Sequence, residues 1–338
     1  MGETGDPLRG LVSAGCGALT YFGIMSTVPK LPSDYRLRPP RLEEAAVIDR
    51  LSAACDAALG SPPALSEDLI RAFWARPRFV LETDAWVVDG GRSAVGYAQV
   101  SDINPTRLSA FALVHPDHTG RGIGTVLAGL VEDRAAQKTP AVARLFTAVI
   151  TQDEAAARLL TGRGYEWARR FWHMEIELEV GTSALAPPSG IHLRRLDPKS
   201  DLSSAHRILE EAFADHWDYT PTPYEEFLVE IADDDFDPSL WIVAIEGDEP
   251  VGVLDGEAHS DRGWIVELGV LRSHRGRRIA TAMLREALAE FERRGLPRVR
   301  LNVDSDNLTG AVSLYERIGI KVVTSYDLWA RAIEGSRR

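Results

Sequence analysis

In the second half of the chain, Ile279, Met283, Ala287, Leu288 and Phe291 recur every three to four residues. That spacing lays one face of a helix against a core. Shorter apolar runs bounded by turn residues predict strands over Ile191–Leu196, Leu240–Ile245, Pro250–Gly256, Trp264–Leu271, Arg298–Val303 and Lys321–Trp329, with Gly247-Asp248 turning a hairpin. Further helices are predicted over Asp201–Phe213, Tyr224–Ala232 and Leu308–Arg317. The order is β-α-α-β-β-β-α-β-α-β, and mixed strands with helices on both faces make an α/β domain.

The same order recurs in the first half. Arg36-Leu37-Arg38, Val95-Gly96 and Gly120-Arg121 reappear as His192-Leu193-Arg194, Val251-Gly252 and Gly276-Arg277, each 156 residues later. Arg163-Gly164-Tyr165 reappears as Ile318-Gly319-Ile320 at an offset of 155. One offset held across four landmarks marks a tandem duplication. The expected division is an extension over 1–34, a domain over 35–180, a Pro/Ser/Gly linker over 181–190 (GTSALAPPSG) and a second domain over 191–333.

Composition narrows the function. The 338 residues hold 38 Lys plus Arg against 50 Asp plus Glu, a net charge of −12, which argues against nucleic-acid binding. Cys16 and Cys55 fit neither a disulfide framework nor a thiolate metal cage, and the histidines show no metal-ligand spacing, so no metal is expected. Residues Gly10–Pro29 carry no charge, yet four glycines interrupt them and Glu3 and Asp6 spoil a basic leader. Neither a signal peptide nor a membrane span is expected there, and the expected compartment is the cytoplasm.

The sharpest local signal is a turn between a strand and the long helix, present twice. It reads VHPDHTGRGIGTVL from Val114 and VLRSHRGRRIATAML from Val270. Small residues let the backbone approach an anion, and the unsatisfied N–H groups of the helix start attract a phosphate. The spacing is neither a dinucleotide-binding fingerprint nor a Walker loop.

This turn resembles the signature of the GCN5-related N-acetyltransferases, Arg/Gln-x-x-Gly-x-Gly/Ala after a strand ending in Val. The first copy, Thr119-Gly120-Arg121-Gly122-Ile123-Gly124, departs at its opening residue; the second, Arg275-Gly276-Arg277-Arg278-Ile279-Ala280, departs where glycine is usual. The resemblance implies two domains, each a mixed, mostly antiparallel sheet flanked by helices, and acetyl-CoA as cosubstrate for an N-acyltransferase. The coenzyme pyrophosphate would lie against Arg275–Ala280 and Thr281, with Arg275, Arg277 and Arg278 as cations. The thioester carbonyl would meet backbone N–H groups at Leu268, Gly269 and Val270. In the first half, Val114, Gly120, Arg121, Gly122 and Gly124 would form the matching coenzyme turn.

The resemblance also separates the halves. Glu267 stands where the family often keeps its general base, Tyr315 where it places the acid for the departing thiolate, and Asn307 where it contacts the pantetheine arm. The first half has Phe111, Leu160 and Gln152 at those positions, so the second half is the expected catalytic one. From Ile208 to Asp261 there are 17 acids and no Lys or Arg, across helices that wall the acceptor cleft in this family. That stretch predicts a cationic amine acceptor, small molecule or peptide, touching Asp215, His216, Asp218, Asp233, Asp234 and Asp235. Two alternatives stand beside it: acetylation of an amino-thiol glycoside, as in tandem members of the family, and a non-catalytic acyl-CoA-binding protein.

Overall fold

In the computed structural model the described residues are 30–335, apart from 77, 92, 105, 140, 180, 182–183, 232–235 and 308. The first half runs β1 (Tyr35–Arg38), α1 (Ala45–Ala58), α2 (Glu67–Ala75), a single turn α3 (Leu81–Asp84), β2 (Ala85–Gly90), β3 (Ser93–Asn104), β4 (Arg107–Val114), α4 (Ile123–Lys138), β5 (Val142–Ile150), α5 (Glu154–Gly162) and β6 (Glu166–Glu177). The second runs β7 (Ile191–Arg195), α6 (Leu202–Phe213), α7 (Tyr224–Glu230), β8 (Ile242–Glu246), β9 (Glu249–Ala258), β10 (Gly263–Val270), α8 (Ile279–Arg293), β11 (Arg298–Asp304), α9 (Ala311–Ile318) and β12 (Lys321–Glu334). The added turn α3 has no counterpart in the other half among the described residues.

All twelve strands join one sheet, ordered β1-β2-β3-β4-β5-β12-β6-β11-β10-β9-β8-β7. Only β4 with β5 and β10 with β11 pair in parallel; the other neighbours are antiparallel. The α/β reading with two tandem domains therefore holds, with one feature added. The closing strands are exchanged: β12 of the second half lies against β5 of the first, from Tyr326↔Ile150 to Glu334↔Val142. Reciprocally, β6 of the first half lies against β11 of the second, from Arg298↔Glu177 to Asp304↔Phe171. Fully buried Met174 of β6 packs into the second half's core, and Ile333 of β12 into the first's. Each half thus completes the other's hydrophobic core, so neither buries its apolar surface alone.

The loops between the first two helices of each half reach across the same seam. Trp217, between α6 and α7, packs edge-on to Phe146 of β5 with ring centroids 6.2 Å apart. In return, Pro63, between α1 and α2, has its carbonyl bonded by the Arg300 guanidinium at 2.8 Å, and the Ser61 and Thr324 hydroxyls meet at 2.7 Å.

Candidate active site

Strands β10 and β11 pair only from Gly263↔Val299 to Ile265↔Leu301, then separate. At that point the register of β10 against β9 shifts, with Val266 as the extra residue of a bulge. A bulge re-aims the side chains that follow it. Here it sets Glu267 directly opposite Asp255 of β9. Asp255 is only 9% exposed. Burial, and then the charges of Glu267 and Glu257, push its carboxyl up to about 8. Past Ile265, among the described residues, no strand pairs with β10 on its β11 side, so Leu268, Gly269 and Val270 border an open gap. Gly269 faces α6 closely: a Cβ there would stand 3.0 Å from that of Ala212.

The first half has the matching separation after Ala110↔Thr147 but no register shift there. Phe111 pairs with Gln99 where the second half has Glu267 and Asp255. The space is filled: Trp74 donates to the Tyr97 hydroxyl at 2.8 Å, and that hydroxyl donates to the buried Gln99 side chain.

The two turns expected to hold coenzyme have one backbone shape. In the first half Gly120 (φ 73°) and Gly122 (φ 81°) precede Ile123, the first residue of α4; in the second Gly276 (φ 76°) and Arg278 (φ 65°) precede Ile279 of α8. Arg278 holds a left-handed conformation that costs a residue with a Cβ about 1–2 kcal/mol. Its side chain is exposed and has no partner among the described residues. The turn therefore keeps the backbone of its glycine counterpart, and the N–H groups of Ile279, Ala280 and Thr281 head a helix as those of α4 do. These features fit a pyrophosphate. Gly124 serves packing, since a Cβ there would lie 3.3 Å from Leu159 of α5.

Two of the three arginines expected as phosphate cations are otherwise engaged. Arg275 donates to the carbonyls of Val270 (3.1 Å) and Ala212 (3.0 Å), tying the end of β10 to α6. Arg277 pairs with Glu246 at 2.5 Å, and its hydrogen bonds hold that carboxyl down at about 2. In the first half Arg121 bonds the Tyr35 hydroxyl at 2.8 Å and the Asp117 carbonyl at 3.0 Å, while Val114 accepts from the Cys55 thiol at 3.4 Å.

Tyr315 on α9 is 8% exposed, and burial alone raises its phenol to about 12. It keeps its proton at neutral pH. The backbone N–H of Ile320 bonds the Tyr315 carbonyl as that of Tyr165 bonds Leu160, so Leu160 is its counterpart. The Asn307 side-chain oxygen accepts from the Thr309 N–H (2.8 Å) and hydroxyl (2.5 Å), which fixes the turn before α9.

The acidic residues expected to meet a cation are placed differently. Asp218 (φ 59°) sits between Arg107 and Arg144 of the first half, 2.9 Å from each. Asp215 pairs with Arg272. A carboxylate already matched by a guanidinium offers less net attraction to a second cation. His216 is half-buried against Phe213, 4.5 Å between ring centroids, and burial lowers its imidazole. Asp233, Asp234 and Asp235 lie outside the described residues.

Two buried titratable residues escape a reading of the sequence. Asp255 is one, since an acid within an acidic stretch reads as solvated. The other is His173 of the exchanged β6, whose ring lies 5.8 Å from Trp264 of β10; burial lowers it to about 4. Among the described residues no group of three or more His, Cys, Asp or Glu is placed to hold a metal ion, and no helix is long and apolar enough to cross a membrane.

A sheet that opens beside a bulge, with a phosphate-shaped turn after the opening strand, defines a coenzyme-dependent acyltransferase fold. The model of the acetyltransferase (GNAT) family matches residues 51–165 and again 205–320. A mycothiol acetyltransferase of Thermobispora bispora is 30% identical over 287 residues, 82% of this chain and 92% of that protein. Another, of Geodermatophilus obscurus, is 29% identical over 91% of this chain and 100% of that one. Among solved structures, a GCN5-related N-acetyltransferase from Sphaerobacter thermophilus superposes with a TM-score of 0.80 at 32% identity, covering 91% of this chain and 99% of that one. A tandem GNAT protein from the clavulanic acid biosynthesis pathway shares the fold, with a TM-score of 0.67 at 18% identity over 90% of this chain and 100% of that one. The chain belongs to the GNAT acetyltransferase family. It is an N-acetyltransferase, and acetyl-CoA is the donor that this family uses.

Proposed function

We propose that the second half moves an acetyl group from acetyl-CoA to the primary amine of an amino-thiol glycoside, by direct attack within a ternary complex. The observation that carries this assignment is the pairing of buried Asp255 with half-buried Glu267 at the bulge, which the first half replaces with Gln99 and Phe111. A carboxyl raised to about 8 is matched to an ammonium, because proton transfer is most effective between groups of similar pKa. The pair takes the ammonium proton; the free amine nitrogen then forms a bond to the thioester carbonyl carbon. As the carbon–sulfur bond breaks, the thiolate takes the phenolic proton of Tyr315; the nitrogen sheds its second proton to solvent on becoming an amide, and solvent restores the phenol. Backbone N–H groups bordering the gap at Leu268–Val270 steady the carbonyl oxygen as it gains charge. Ile279–Thr281 and the exposed Arg278 hold the pyrophosphate, and the side-chain amide of Asn307 meets the pantetheine arm.

The acceptor class rests on the relatives named mycothiol acetyltransferase, which align over most of both chains. A second reading, a polycationic amine, is favoured by one observation. Asp255 and Glu257, two apart on β9, share a face with Glu267, so three carboxylates cluster at the bulge. Free-thiol release from acetyl-CoA with an amino-thiol glycoside, a polyamine and an aminoglycoside separates the two. The first reading expects the glycoside to give the highest kcat/KM. A polyamine or aminoglycoside that is preferred, with a KM rising with salt, replaces it with the second. No turnover with any of them overturns both.

A further inference from the structure

We propose that a cleft at the outer edge of the first half binds a small molecule carrying phosphate groups. The cleft encloses about 830 Å³ between β1, the start of α1, the β2–β3 turn and the residue after β4; its walls include Arg36, Arg38, Arg41, Arg50, Ser93 and His115. That volume suits a nucleotide-sized ligand. Four guanidiniums face two carboxylates there, Glu44 and Asp89. Both carboxylates are taken by Arg38, which bonds Glu44 at 2.7 and 2.8 Å and Asp89 at 2.6 and 3.0 Å. Arg41 shares Glu44 at 3.2 Å. Arg36, from β1, and Arg50, from α1, are exposed and make no hydrogen bond or ion pair among the described residues, although the charge of Arg50 acts on the adjacent Asp49.

The cleft is thus a positive pocket on a chain of net charge −12. Arg38 is spent on holding its floor, and two unpaired guanidiniums are presented from separate elements. Planar guanidiniums bind phosphate oxygens in pairs, and a concave site concentrates the attraction. β1 is the edge strand, with seven strands between it and β10, so this site is separate from the carboxylate pair. It does not depend on which acceptor the enzyme acetylates.

The test is calorimetric titration of the full chain with pyrophosphate, with and without saturating desulfo-CoA to fill the coenzyme turns. Pyrophosphate should bind once per chain in the presence of desulfo-CoA. The Arg36→Gln/Arg50→Gln double variant should weaken it by about tenfold or more, and Arg50→Glu further still. If instead the cleft takes the coenzyme's own phosphates, desulfo-CoA abolishes that pyrophosphate binding and the double variant weakens desulfo-CoA by a similar factor. That outcome keeps the site and identifies its ligand. Both side chains are exposed, so an unchanged Tm certifies the fold of the variants. A folded double variant with wild-type affinity for both probes overturns the proposal, and so does a wild-type chain that binds no pyrophosphate beyond its coenzyme turns.

Discussion

Replacing Glu267 with Gln keeps the shape of the carboxylate pair and removes one charge. Asp255 is raised from 3.8 to about 8, first by burial and then by Glu267 and Glu257. Directly opposed side chains on neighbouring strands bring their carboxyl groups to roughly 6 Å. At an effective dielectric constant of about 20 the repulsion is ~2.8 kcal/mol, or about two pH units. Burial is the larger cause, so the share belonging to Glu267 is about one to two units. The acidic limb of kcat/KM for the amine should therefore rise through about pH 8 in the wild type and move down by that amount in Glu267→Gln. The direction follows because removing a nearby negative charge makes the Asp255 anion easier to form. Initial rates of thiol release between about pH 5.5 and 9.5, at fixed saturating acetyl-CoA, read the limb directly. The ionisation of the amine itself is common to both enzymes and cancels in the comparison. A limb that stays in place, or moves upward, refutes the coupling of the two carboxylates.

Tyr315→Phe keeps the packing of α9 and should lower kcat by about 10- to 1000-fold with little change in acetyl-CoA affinity, read by steady-state kinetics beside calorimetry. Gly122→Glu sets a carboxylate at a position whose counterpart, Arg278, already carries a side chain in the same left-handed conformation; coenzyme stoichiometry should fall while initial rates stay near wild type, and loss of turnover in a folded variant contradicts the division between the halves. Arg107→Gln/Arg144→Gln releases the Trp217–Asp218 loop from the first half; the acceptor KM should rise about threefold to tenfold with the acetyl-CoA KM unchanged, on the scale of a lost partly buried ion pair.

The duplication was legible because an offset of 156 survives wherever strands and turns keep their length. The shape of the turn before α4 and α8 was legible because its glycines serve local backbone conformation, and local conformation is written in nearby residues. The exchange of β6 and β12 was not. Either strand satisfies the same alternation whichever neighbour it takes, so only the assembled sheet reveals that Met174 belongs to one core and Ile333 to the other. The same limit hid the fate of the charges. Asp218 is neutralised by residues 111 and 74 positions away, and Arg275 is engaged by hydrogen bonds to the carbonyls of 270 and 212. Asp255 sat among 17 acids, and what distinguishes it is burial opposite Glu267, a consequence of a one-residue bulge at Val266.

The central claim is that acetyl transfer is carried by the Asp255–Glu267 pair of the second half alone. Single-turnover transfer by the Asp255→Asn/Glu267→Gln double variant, with acetyl-CoA binding measured on the same preparation, tests it most directly. Coenzyme affinity should stay within about twofold of wild type, and the transfer rate should fall by about 100-fold or more, the scale of losing a general base. A folded double variant that binds acetyl-CoA and transfers its acetyl group at the wild-type rate would contradict the account.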